Sequence, residues 1–200
     1  MESVARSLVF PCILCLLAAS CRTPEGRVME DSEQDYVGAR AAGAETFERL
    51  IAGTVNKLLE GQTAARTATG RLSIAVLPVE NASGEELGDW QEQIYDLIAT
   101  SINTSDRYQM INRRFVEAAL REGRLRSTEL FLPEKRREFL RILEVSKSPA
   151  DFLLFPKLTS GTTQGEGVRQ RNYLLTLDLV DVHTGAFQSV AEKVRKAYTR

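Results

Sequence analysis

The sequence predicts an α+β domain, a mixed and largely antiparallel β-sheet of about four to five strands packed with helices. Three features point to it. Apolar residues return at three- and four-residue steps in several stretches, the spacing of one helix face. Short β-branched and aromatic runs bounded by glycine, proline or asparagine lie between them. The last part of the chain alternates through long strands joined by turns, and such a meander is antiparallel. Composition agrees: 43% hydrophobic and 26% charged residues over 200 positions suit one globular domain with a tail.

The chain opens on an address rather than a fold. Arg6 gives a positive start, and an apolar run of about ten residues, Leu8 to Leu17, follows. A spanning helix needs roughly 20 such residues, so this run is a signal-peptide core. It ends Leu17-Ala18-Ala19-Ser20-Cys21, which resembles the bacterial lipobox: small side chains ahead of a thiol that receives a diacylglycerol and becomes the mature N-terminus. Lipoboxes prefer Leu where Ala18 stands, and an ordinary signal peptide ending near a cysteine is the alternative. Residues 1–20 are thus expected to be a lipoprotein signal peptide, with Cys21 acylated as a membrane anchor. Cys12 and Cys15 would leave with the signal, so the folded part would hold no disulfide and no thiolate metal site. Arg22 follows the cysteine in place of Asp, which by similarity to proteobacterial sorting rules favours the outer membrane.

Residues 21–43 are polar and acidic, with Glu25, Glu30, Asp31, Glu33 and Asp35, and lack hydrophobic periodicity. They are expected to form the acylated N-terminus and a flexible tether, whose root-mean-square span is only about 25 Å.

Residues 44–200 are the expected domain. Phe47, Leu50, Ile51, Val55, Leu58 and Leu59 form a helical stripe that ends before Gly61. Leu72 to Val79 is a buried strand with Pro78 near its end, and Asn81-Ala82-Ser83-Gly84 is a turn. Asp89 with Glu92 has the spacing of a capping box, opening a helix with Trp90, Ile94, Leu97, Ile98 and Ile102 on one face. Tyr108 to Ile111 is a second strand, and Phe115 to Leu120 lies in a helix ended by Gly123. Pro133 suits the first residue of a helix carrying Phe139, Leu140, Ile142, Leu143 and Val145. Phe152 to Phe155 is the third strand, and Gly161, Gly165 and Gly167 mark a long hairpin loop. Tyr173 to Val182 is the fourth strand, which His183-Thr184-Gly185 turns into a fifth, Phe187 to about Tyr198.

Catalytic chemistry finds little to work with. The one histidine, His183, sits in a predicted tight turn, a poor place to hold a base against a nucleophile. A histidine-based zinc site lacks ligands, and the glycines of 161–167 have no helix N-terminus after them to cradle a phosphate. Glu85 with Glu86, or Asp178 with Asp181, are nominal acid–base pairs, but acidic pairs are common on surfaces. No enzyme activity, cofactor, metal or small-molecule substrate is expected, and the net charge of −1 gives no footprint for nucleic acid.

One segment departs from the even charge balance. Between Arg113 and Arg141 nine cations face five carboxylates, an excess of four. A solvated helix face laced with i,i+4 pairs is one reading. The other is a docking surface for an acidic partner, with Arg113, Arg114, Arg121, Arg124, Arg136 and Arg137 as candidates and Phe131 and Leu132 as an apolar anchor.

The ordered set of segments resembles the LpoB family, outer-membrane lipoproteins that activate penicillin-binding proteins. The resemblance runs from about Glu45 to Tyr198. It rests on Asn56-Lys57-Leu58-Leu59, Ile74 to Asn81, Arg107-Tyr108-Gln109-Met110-Ile111, Glu117 to Gly123, Ala150 to Phe155 and, most specifically, Leu177 to Gly185. The chain departs from the family pattern at Ser148-Pro149-Ala150, at Phe187-Gln188-Ser189 and in a tether with Pro24 as its single proline. The resemblance implies a fold related to the N-terminal domain of TolB and to CsgG-type secretion proteins. It also implies a periplasm-facing, non-enzymatic role: binding a bifunctional penicillin-binding protein and raising its activity in peptidoglycan synthesis. A CsgG-like structural or secretion-associated lipoprotein is the alternative.

Overall fold

The computed structural model describes residues 43–61, 70–165 and 168–199. The expected signal peptide, Cys21, most of the expected tether and Gly167 lie outside the described residues.

Helix α1 (Ala44–Gly61) leads into β1 (Leu72–Val76), β2 (Glu80–Ala82), α2 (Trp90–Asn103) and β3 (Tyr108–Met110). Then come α3 (Arg113–Gly123), a 3₁₀ turn (Ser127–Phe131) and α4 (Pro133–Val145). Three long strands close the chain: β4 (Phe152–Gly165), β5 (Val168–Asp181) and β6 (Phe187–Thr199). The sheet has six strands in the order β3-β1-β4-β5-β6, with β2 added on β4. Pairs β1–β3, β1–β4 and β2–β4 are parallel, and β4–β5 and β5–β6 are antiparallel. The fold is α+β with a mixed sheet, as the sequence predicts.

Strand alternation divides the core in two. Leu72, Ile74 and Val76, Phe152, Leu154 and Leu158, and Leu175, Leu177 and Leu179 bury one face with Phe47, Leu50, Val55, Ile94, Ile98 and Ile102 of α1 and α2. Ala75, Leu77, Leu153, Phe155 and Val180 bury the other with Val116, Ala119, Leu120, Phe139 and Leu143 of α3 and α4. Each large side chain so buried contributes roughly 1.5–3 kcal/mol, which fixes the register of strands whose two faces are both covered.

Four expectations need correction. The strand expected over Leu72–Val79 stops at Val76, because Pro78 has no N–H to give the ladder. Pairing resumes at once, so Asn81 and Ala82, expected in a turn, belong to β2 opposite Leu158 and Thr159. Asn81 still builds the next turn through its side chain, which accepts from the Ser83 amide at 3.0 Å and donates to the Glu85 carbonyl at 2.7 Å. The capping box at Asp89 is absent: Asp89 has helical φ −65° and ψ −17° and makes no side-chain cap bond. Glu92 points instead to Arg113. Helix α3 is capped by Asn112, whose side chain accepts from the Arg114 amide at 2.9 Å. At its other end α3 stops at Gly123, as expected, and the left-handed residue is the next one, Arg124 (φ 51°). Gly123 serves close packing, since a Cβ there would lie 2.8 Å from Leu125 Cδ1.

The fourth correction concerns the hairpin. The long loop expected around Gly161 and Gly165 is strand: β4 runs through both, with Gly161 opposite Asn172 and Gly165 opposite Val168. Threonines at 162 and 163 carry the β propensity that outweighs the glycines there.

Candidate functional site

The polar groups with nominal catalytic potential are tied to structural tasks. His183 lies in the β5–β6 turn, where Asp181 accepts from the amides of His183 at 2.8 Å and Thr184 at 2.9 Å. Its Nε2 is 3.2 Å from Asp151, whose other oxygen accepts from the Ser73 amide at 2.8 Å. Among the described residues no hydroxyl or thiol hydrogen-bonds to His183. Glu85 accepts from the Tyr173 hydroxyl at 2.8 Å and pairs with the Arg171 guanidinium at 2.6 Å, pinning the 83–87 loop to β5. Glu86, its nominal partner, is exposed. Asp178 accepts from the Ser189 hydroxyl at 2.5 Å, and three residues along a strand from it Asp181 faces the other side of the sheet. Among the described residues no group of three or more histidine, cysteine or carboxylate side chains is placed to hold a metal ion.

The basic segment separates into unlike parts. Arg113 forms a clamp around the β3 edge of the sheet. It pairs with both oxygens of Glu92 on α2, donates through Nε to Glu117 at 2.7 Å, and lies over the Tyr95 ring at 4.5 Å from its centroid. Bonding to Arg113 lowers the pKa of Glu92, while burial pushes the Tyr95 hydroxyl up to about 12 despite the nearby guanidinium. Arg121 is loosely held by Glu117 at 3.9 Å. Arg114, Arg124 and Arg137 are exposed and Arg136 is half-buried, and among the described residues none of the four has a carboxylate within ion-pair distance. Helix amphipathicity puts them there: the apolar faces of α3 and α4 turn inward on the second core.

Beside the α4 arginines lies an aromatic cluster. The Phe131 ring, at the end of the 3₁₀ turn, stacks on Phe155 of β4 with centroids 4.2 Å apart. It meets the edge of Phe187, the first residue of β6, at 6.4 Å. Phe155 is buried, whereas Phe131 is 43%, Phe187 55% and Leu132 55% exposed. Phe187 pairs with Val180 and so shares its sheet face, the one covered by α3 and α4. The Arg136 guanidinium reaches the adjoining turn, 3.9 Å from where a side chain at Gly185 would begin. Phe131 and Leu132 are expected from the sequence as an apolar anchor and Phe187 is not, although an aromatic ring just after the Gly185 turn is an available signal.

A profile of the LpoB family, described as peptidoglycan-synthase activator LpoB, matches residues 48–189. The chain belongs to the LpoB family. The match takes in every helix and strand from most of α1 to the start of β6, including the arginines and the aromatic cluster. Among solved structures, the LpoB C-terminal domain from Salmonella enterica is similar at 15% identity and a TM-score of 0.48, covering 77% of this chain and 98% of that one. The LpoB C-terminal domain from Escherichia coli gives 15% and 0.47, over 73% of this chain and 97% of that one. The solution structure of E. coli LpoB gives 13% and 0.48, over 100% and 89%. No curated protein sequence matches the chain. Membership connects this domain to activation of a peptidoglycan synthase, a role that calls for a docking surface rather than a catalytic centre.

Proposed function

We propose that this chain is a membrane-anchored periplasmic lipoprotein that binds and activates a bifunctional penicillin-binding protein. The family match over residues 48–189 carries this reading. The lipobox-like Leu17-Ala18-Ala19-Ser20-Cys21 supports lipidation at Cys21, and Arg22 supports placement in the outer membrane facing the periplasm. Residues 21–43 then serve as the tether and residues 44–200 as the activating domain.

Activation without chemistry of its own means population shift. A domain that binds the active synthase conformation more tightly than the resting one raises the active-to-resting ratio, at saturation, by that affinity ratio, and equal affinity for both raises nothing. Docking runs through the basic surface of α3 and α4, with Arg114, Arg121, Arg124, Arg136 and Arg137 facing the partner and Arg113 holding α3 in place for them.

Cross-linked pull-down of the full-length lipoprotein from native envelopes tests the reading, with partners identified by mass spectrometry. A bifunctional penicillin-binding protein is the expected dominant partner. Recovery of only further copies of the chain, or of secretion proteins, would contradict it.

A further inference from the structure

We infer that the synthase docks on the Phe131–Leu132–Phe187 cluster, and that its complementary surface is an apolar recess rimmed by carboxylates. The inference rests on the activator reading and adds the centre of the interface and the chemistry of its partner.

The rings come from a 3₁₀ turn, a central strand and a β6 terminus, far apart in sequence, and they converge where the helical cover of the sheet gives way to the β5–β6 turn. Among the described ring pairs, Phe131 with Phe187 is the one in which both members are exposed; Phe47 with Trp90 and Tyr108 with Phe152 each have a buried member. A single exposed apolar residue is ordinary, but a cluster of large ones marks an interaction site. Stacking on buried Phe155 already holds Phe131 in place, so docking costs little side-chain entropy at the centre. Aromatic anchors beside arginines are the residue types that dominate binding energy at protein interfaces.

Charge selects the occupant. The whole chain carries −1, yet the segment Arg113–Arg141 that supplies Phe131 and Leu132 carries an excess of four cations. The Arg136 guanidinium lies 3.9 Å from where a side chain at Gly185 would begin, two residues before Phe187, and Arg137 follows it on α4. Neither has a carboxylate partner among the described residues, so an acidic rim would pair with cations that the fold leaves available. A second copy would bring the same cations against each other.

The test measures binding of the full-length lipoprotein to the purified bifunctional synthase from the same envelopes. The variants are Phe187→Ser, Leu132→Ser and the double charge reversal R136E/R137E. Phe187 and Leu132 are more than half exposed, so thermal melts should match the unaltered protein. Arg49→Glu, on the outer side of α1 across the sheet, is the control. Each patch variant should weaken binding about tenfold or more, with the control unchanged, and R136E/R137E should also flatten the salt dependence. Patch variants that bind like the unaltered protein would overturn the surface while leaving the activator reading standing. An unaltered protein that binds no synthase would overturn both. A dimer of the unaltered protein that Phe187→Ser makes monomeric, or loss of binding to purified peptidoglycan alone, would assign the patch to another occupant and overturn the inference.

Discussion

Arg113 stands apart from the other arginines because three groups share its guanidinium: Glu92, Glu117 and the face of Tyr95. The ion pairs are partly exposed and screened, but the cation–π contact joins α2 to α3 where the sheet ends at β3. Arg113→Ala should therefore cost about 1 kcal/mol of stability in urea unfolding, whatever it does to docking. The pH dependence has two signs. Glu92 is held below its ordinary value of 4.5, so its pairing stabilises the fold above that pH and is lost as acidification passes the lowered value. Tyr95 is raised from 10 to about 12, so the unfolded chain ionises first and stability falls between those pH values. Among the described residues the buried Tyr95 hydroxyl has no hydrogen-bond partner. Tyr95→Phe should thus be neutral or stabilising by up to about 1 kcal/mol at pH 7, and should remove part of the alkaline loss. Thermal melts from pH 7 to 11.5 check both statements.

Among the elements, the C-terminus of α3 offers a clean test. Arg124 adopts φ 51°, a left-handed conformation that glycine takes without a Cβ penalty. Arg124→Gly should stabilise the domain by about 0.5–1 kcal/mol, read as a raised melting midpoint. In the proposed docking Arg124 faces the partner, so the same variant should bind the synthase more weakly, separating stability from function at one position. This helix end also marks what was legible in the sequence. Period-3.6 stripes such as Phe47 to Leu59 and Phe139 to Leu143 located the helices, since an amphipathic face must be buried. Pro133 located the start of α4 for a local steric reason. Local chemistry that tertiary contacts override is not legible: Glu92 pairs with Arg113 rather than closing a capping box, and Asn81 enters β2 opposite Leu158 of β4. The glycines at 161 and 165 suggest a loop, but the threonines between them and continuous ladder pairing with β5 together carry β4 through both. The basic side of the candidate site was visible as a run of charge, but Phe187 was not. Its link to Phe131 exists only once β6 pairs with β5 and the 3₁₀ turn folds over β4.

The proposed function joins a folded domain to a lipid at Cys21. Cys21→Ala should release the protein from the membrane fraction yet leave the domain's thermal midpoint unchanged, because the sheet and its two cores begin beyond residue 43. A Cys21→Ala protein that still fractionates with membranes would show that Cys21 is not the anchor. Activation is read in the rate of glycan polymerisation from lipid-linked precursor by the purified bifunctional synthase, with and without saturating lipoprotein. The expected result is a severalfold faster rate that saturates with a single binding constant. An unchanged rate at concentrations where the two proteins are shown to be bound would contradict it.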